Sequence, residues 1–91
     1  MRFLRSFHVS FHCVVDYYNA IDRRLARRFI DAVDKAQADI VRFPKIGKPI
    51  KNGREYLLGE FPYSFCYAED LEGEPVAIRL CHCRQGGPKI I

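Results

Sequence analysis

The stretch CHCRQGG, residues 81–87, contains side chains whose types and spacing suit chemistry. Thiolate sulfur and imidazole nitrogen are ligands that zinc prefers in proteins. A cysteine with a histidine beside it also fits an activated nucleophile, because imidazole can accept the thiol proton. The residues Cys81, His82, Cys83 and Arg84 therefore raise two interpretations, a metal site and a thiol catalyst.

Strand geometry argues against both interpretations. Residues 75–83 alternate as a strand, in which residues i and i+2 are about 6.6–7 Å apart. Two sulfurs bound to one zinc ion lie roughly 4 Å apart, so Cys81 and Cys83 do not share an ion while the strand is extended. His82 points away from both of them. We predict no metal and no cofactor, and we expect reduced thiols that mostly pack as small hydrophobes.

His82 keeps two interpretations of its own. It continues one face of the last strand, so it can be a histidine at the edge of the core that bonds a backbone group. It can also stand at the strand end, beyond the helices, and meet a ligand there; Arg84 follows on the same face. The alternation places Val76, Ile78, Leu80 and His82 on one face, and Ala77, Arg79, Cys81 and Cys83 on the other.

The preceding chain predicts the elements that hold this strand. Residues 2–7 form a short first strand, although this segment also suits a direct lead into a helix. Residues 8–20 repeat apolar side chains at helical spacing. A second helix starts after Asp22, its predicted N-cap, and ends at Pro44. Its predicted apolar stripe consists of Leu25, Phe29, Ala32, Val33, Ala36, Ile40 and Phe43.

Three strands complete the predicted fold. The segment PKIGKPIKNGR, residues 44–54, is rich in proline and glycine and is predicted to be a loop. Strands follow at residues 54–58, 61–68 and 75–83, with a hairpin turn before the last one. The order β–α–α–β–β–β predicts a single α+β domain over residues 1–91, a helical hairpin packed on a small antiparallel sheet.

Charge is unevenly distributed along this chain of 91 residues with net charge +4. Residues 42–54 carry five cations and no acid: Arg42, Lys45, Lys48, Lys51 and Arg54. This segment fits an anionic partner, such as nucleic acid or an acidic protein, or else a solvated basic loop. No signal peptide or membrane-spanning stretch is recognisable, so we expect a cytoplasmic protein without membrane contact.

Several short motifs occur in a characteristic order. They are P..G.P at the helix end, an arginine before a short strand, FPY...Y, and a final H.R...P. Together they resemble the RelE/ParE superfamily of toxins from bacterial type II toxin–antitoxin systems, with the ParE-like branch most similar. The resemblance extends over nearly the whole chain. It implies a compact α+β toxin that stabilises a plasmid or chromosome and is neutralised by a cognate antitoxin in a hetero-oligomer.

The resemblance implies two alternative targets. ParE-like toxins inhibit growth by binding a macromolecule such as DNA gyrase, whereas RelE-type toxins are ribosome-dependent, metal-free endoribonucleases that cut mRNA. For the nuclease, the matched catalytic residues are Arg54, His82 and Arg84. Histidine suits proton transfer, and arginine suits charge developing on phosphate. We expect Lys45, Lys48 and Lys51 to bind the target or its phosphate groups.

The tail departs from the nuclease pattern. Nuclease members often place an aromatic residue just after the last strand, but no aromatic residue follows Tyr67 here. The tail instead ends in Ile90 and Ile91, which are expected to pack on the body of the toxin or on the antitoxin. An acidic, extended antitoxin suits a basic groove with apolar pockets. A binding module without toxicity is the third interpretation.

Overall fold

The chain forms a small α+β domain in which two helices pack on a five-stranded mixed sheet. The structure, a computed structural model, describes residues 1–82. Its elements in chain order are β1 (Arg2–Phe3), α1 (Arg5–Ile21), α2 (Arg23–Arg42), β2 (Lys48–Ile50), β3 (Gly53–Leu57), β4 (Tyr63–Glu69) and β5 (Pro75–His82). The sheet order is β1-β5-β4-β3-β2.

The expectation of a purely antiparallel sheet is wrong. β1 pairs with β5 in parallel, Arg2 opposite Val76 and Phe3 opposite Ala77, whereas the other neighbours are antiparallel. The first strand is also shorter than predicted, because the chain already turns into α1 at Arg5. Because α1 starts at Arg5, Phe7 belongs to this helix, and its side chain is almost fully buried in the core.

The helical hairpin is confirmed, and a single residue joins its two helices. Asp22 ends α1, where its N–H bonds the Tyr18 carbonyl at 2.8 Å. The same residue starts α2, because its carboxylate accepts from the Arg24 amide at 2.9 Å. This N-cap bond, together with the Arg24 side chain, lowers the pKa of the Asp22 carboxyl. Asp22 as N-cap is therefore confirmed.

The apolar stripe of α2 is confirmed up to Ile40. Phe29 and Ile40 are fully buried, and Phe29 meets Phe61 edge-on at 5.3 Å between ring centroids. Burial of such a side chain contributes about 1.5–3 kcal/mol. Phe43 was wrongly assigned to the stripe; it is 56% exposed, because α2 ends one residue earlier, ahead of Pro44. Neither α1 nor α2 combines the length and the apolarity that a membrane span requires.

Strand β2 lies within the segment predicted to be a loop. It pairs antiparallel with β3, Ile50 opposite Gly53, so that Lys51 and Asn52 form a two-residue turn. Gly53, the first residue of β3, follows this turn directly. Gly53 is also required by a close approach, because a Cβ there would collide with the Tyr67 carbonyl.

A β-bulge in β5 changes which side chains face the helices. Tyr67 lies opposite Ala77 while Cys66 lies opposite Arg79, so Ile78 is an extra residue without a partner on β4. Ala77 is therefore buried in the core on the same side as Leu80, and the predicted alternation is wrong before the bulge. After the bulge the prediction holds.

Candidate functional site

The start of the basic segment is held by one buried hydroxyl. The Tyr67 side chain crosses from β4 to the loop after α2, where its hydroxyl donates to the Pro44 carbonyl at 2.7 Å. The same oxygen accepts from the buried Gly47 amide at 2.9 Å. A Cβ at position 47 would lie 2.7 Å from this oxygen, so the fit depends on glycine. We call Pro44, Gly47, Arg54 and Tyr67 the loop clamp.

Arg54 completes the loop clamp from β3. Its guanidinium donates to the Gly47 carbonyl at 2.7 Å and to the Lys45 carbonyl at 3.3 Å. The resemblance implied that Arg54 meets phosphate, whereas in the structure its guanidinium bonds backbone carbonyls. Arg54 therefore fixes the shape of the loop that carries the lysines.

The three predicted lysines spread along this segment and are all exposed. Lys45 pairs with Glu69 at 3.2 Å, an exposed contact that contributes little to stability. Lys48 lies on β2 opposite Glu55 of β3. Lys51 occupies the turn between these strands. The lysines are thus available to a partner, but they do not converge on one point.

His82 stands at the far end of the sheet from Arg54. Arg54 lies opposite Tyr67 of β4, and His82 lies opposite Tyr63 of the same strand. Interstrand spacings of roughly 4.8 Å and a rise of roughly 3.4 Å per residue place the two Cα atoms about 16 Å apart. The exposed imidazole meets the Tyr63 ring edge-on at 5.0 Å. Arg84 and the Ile90-Ile91 tail lie outside the described residues.

The face of the sheet opposite the helices carries a cleft of about 420 Å³. Its lining residues include Ile50, Lys51, Cys66, Ile78 and Arg79. Glu55, Cys66 and Arg79 lie side by side across β3, β4 and β5. We call this surface the open sheet face. Two cations at the cleft and two aliphatic side chains within it suit an extended anionic segment with apolar residues.

Two cysteines meet on the open sheet face. The Cys66 thiol lies 3.4 Å from the sulfur of Cys81, and the Arg79 Nε–H points at that same sulfur from 3.2 Å. Burial, reinforced by the neighbouring Cys81, raises the pKa of the Cys66 thiol to about 12. Sequence reasoning missed this pair because Cys66 lies in a different strand from Cys81 and the two form no local motif. The strand register was needed to bring residue 66 next to residue 81.

No protein-family model matches the chain, and no curated protein has significant sequence similarity to it. The protein is therefore characterised by its fold and by the geometry of its candidate site. It is a small α+β domain with a clamped loop that begins the basic segment, and with an open sheet face lined by Lys51 and Arg79.

Proposed function

We propose that the chain is the toxin of a bacterial type II toxin–antitoxin module, ParE-like, which inhibits growth by binding a macromolecular target such as DNA gyrase. Its cognate antitoxin neutralises it in a hetero-oligomer. The observation that supports this most is that three of the four motifs behind the RelE/ParE resemblance each contribute a residue to one physical unit, the loop clamp. The P..G.P motif, the arginine before the strand and the last tyrosine of FPY...Y all meet there.

The open sheet face supports the antitoxin part of the proposal. An acidic, extended segment would find Lys51 and Arg79 at the cleft, with Ile50 and Ile78 to cover its apolar side chains. Opposite charges at such a surface mainly raise the association rate and select the partner, while the apolar contacts hold the complex. The edge strand β2 also offers unpaired backbone groups to an added strand.

The spacing of the predicted catalytic residues favours target binding over RNA cleavage. A metal-free nuclease needs its base and its phosphate-binding cations around one scissile bond. Arg54 and His82 are separated by the length of β4, and the Arg54 guanidinium is bonded to the loop. RNA cleavage is therefore the alternative function, which supercoiling and toeprinting assays distinguish from target binding.

Growth and target assays test the proposal together. Induced expression in a bacterial host should arrest growth, and co-expression of a small acidic protein encoded in the adjacent reading frame should restore it. Purified toxin should inhibit gyrase supercoiling and leave ribosome-bound message uncut in toeprinting. Discrete A-site cuts that disappear in His82→Ala would replace the proposal with the nuclease. Harmless overexpression in several hosts would replace it with a binding module that is not toxic.

A charge-reversal pair tests the open sheet face as the antitoxin site. Lys51→Glu with Arg79→Glu should weaken antitoxin binding, chiefly through slower association, and should make it less sensitive to salt. The matched control is Arg23→Glu with Arg27→Glu, which changes the net charge equally on the exposed face of α2. Equal weakening by both pairs would mean that net charge, and not this face, determines binding.

A further inference from the structure

The geometry of the open sheet face points to a redox site: we propose that Cys66 and Cys81 form a reversible disulfide when a hydroperoxide reaches Cys81. The inference goes beyond the proposed function and does not depend on it. It rests on a sulfur–sulfur distance of 3.4 Å between neighbouring strands, and on the donors that converge on one of these sulfurs.

Cys81 is the sulfur that attacks the oxidant. It is partly exposed, and its sulfur accepts from both the Arg79 Nε–H and the Cys66 thiol. Reactive cysteines are typically found in electropositive, partly exposed surroundings of this kind. Cys66 is only 7% exposed and remains a thiol, so it acts as the resolving residue. Within residues 1–82 no third cysteine, histidine or carboxylate joins them as a metal ligand.

The reaction balances with one hydroperoxide. The Cys81 thiolate attacks the peroxide, whose O–O bond breaks, and gives a sulfenic acid and, for hydrogen peroxide, a hydroxide that is protonated to water. Cys66 then attacks the sulfenic sulfur, the S–O bond breaks, and the second water leaves with the Cys66 proton. Two thiols are oxidised to one disulfide, and the peroxide is reduced to two waters.

The register predicts that this disulfide is easily reduced. Cys66 lies opposite Arg79, and Cys81 lies opposite Ser64, so the two cysteines form a diagonal pair. Diagonal Cα atoms are typically about 7–8 Å apart, whereas disulfides usually join Cα atoms about 4.4–6.8 Å apart. β4 and β5 must shift to close the bond, and strained disulfides are the labile ones. Oxidation would also leave Cys81 without a thiolate charge for the Arg79 guanidinium to contact, and so alter the cleft.

A variant with only these two cysteines gives the direct test. Cys13→Ser with Cys83→Ser, treated with hydrogen peroxide, should lose two hydrogens by intact mass and both free thiols, and reduced glutathione should restore them. After trypsin, residues 55–79 and 80–84 should be linked. If both thiols remain free, or oxygen adducts on Cys81 accumulate without the link, the proposal is overturned. Unchanged circular dichroism shows that the variant is folded.

Single-cysteine variants and an arginine pair test the assigned roles. With Cys66→Ala added, Cys81 should give a sulfenic acid that dimedone traps, and with Cys81→Ala added, Cys66 should stay unmodified. Arg79→Gln should slow disulfide formation, whereas Arg27→Gln on α2 should not. If Cys66 is the thiol that dimedone labels, or if both arginine variants react at the parent rate, the assignment of Cys81 and Arg79 is wrong.

Discussion

Replacing Tyr67 by phenylalanine should weaken the domain far more than the loss of one surface hydroxyl. The change keeps the buried ring and removes only the oxygen that joins Gly47 to Pro44. The Gly47 amide is buried, and a buried donor left unpaired costs about 1–3 kcal/mol. The Pro44 carbonyl is half-buried and loses a bond worth about 0.5–1.5 kcal/mol. We therefore expect Tyr67→Phe to lower the free energy of unfolding by about 2–4 kcal/mol.

Urea denaturation followed by circular dichroism measures this effect, and two tyrosines of the same chain serve as controls. Tyr17 is 60% exposed, so Tyr17→Phe should change stability by less than about 0.5 kcal/mol. The Tyr56 hydroxyl donates to Asp39 at 2.7 Å, and that carboxylate stays paired with Lys35 and partly hydrated when the hydroxyl is removed. Tyr56→Phe should therefore cost about 1 kcal/mol.

The ordering of the three variants is what tests the reasoning. If Tyr67→Phe is no more destabilising than Tyr17→Phe, the loop clamp does not hold the loop in solution. A second readout is local: the Gly47 amide should exchange its hydrogen with solvent faster in Tyr67→Phe than in the parent. An unchanged exchange rate at position 47 would contradict the assignment of its partner.

Three further changes have defined outcomes. Gly47→Ala should lower the unfolding free energy by about 1–3 kcal/mol in urea, because its Cβ would crowd Tyr67 and the Glu55 carbonyl; a neutral result would contradict the close approach. Asp22→Ala should cost about 1 kcal/mol and reduce helical circular dichroism, while Asp22→Asn should retain most of both. Burial raises the pKa of Cys66 from 9.0 to about 12, so the stability it contributes below pH 9 is lost as the pH rises towards 12. Cys66→Ala should flatten the alkaline decline of the melting temperature, and an equally steep decline would refute this.

Local signals were sufficient to predict both helices, except that α1 starts at Arg5, within the segment predicted to be a strand. In α2 the stripe from Leu25 to Ile40, the Asp22 cap and the Pro44 stop all depend on neighbours within a few residues, and each agrees with the structure. The same reasoning failed at Phe43, because one residue beyond the helix end the stripe no longer points at the core.

Features of the sheet depended on partners distant in sequence. Asn52-Gly53 marks a turn, but a hairpin centred on this pair would place Lys51 opposite Arg54, whereas Ile50 pairs with Gly53 in the structure. The lysines and prolines around the pair favoured a loop. The parallel pairing of β1 and the extra residue at Ile78 carry no local signature, because each is determined by the strand opposite. The contact between Cys66 and Cys81 also depends on the register after the bulge. Local sequence therefore could not predict it.

The loop clamp has a structural role that is independent of the proposed target. Its motif residues are occupied with one another: Arg54 bonds carbonyls, and the Tyr67 hydroxyl bonds the loop backbone. A sequence under pressure to keep this fold retains them whichever macromolecule it binds, since fold and function are specified separately. Under the proposed function, discrimination between gyrase and the ribosome would come from exposed residues such as Lys51, Arg79 and His82. Variants of these exposed positions, tested against both targets, therefore report on function, whereas variants of the loop clamp report on folding.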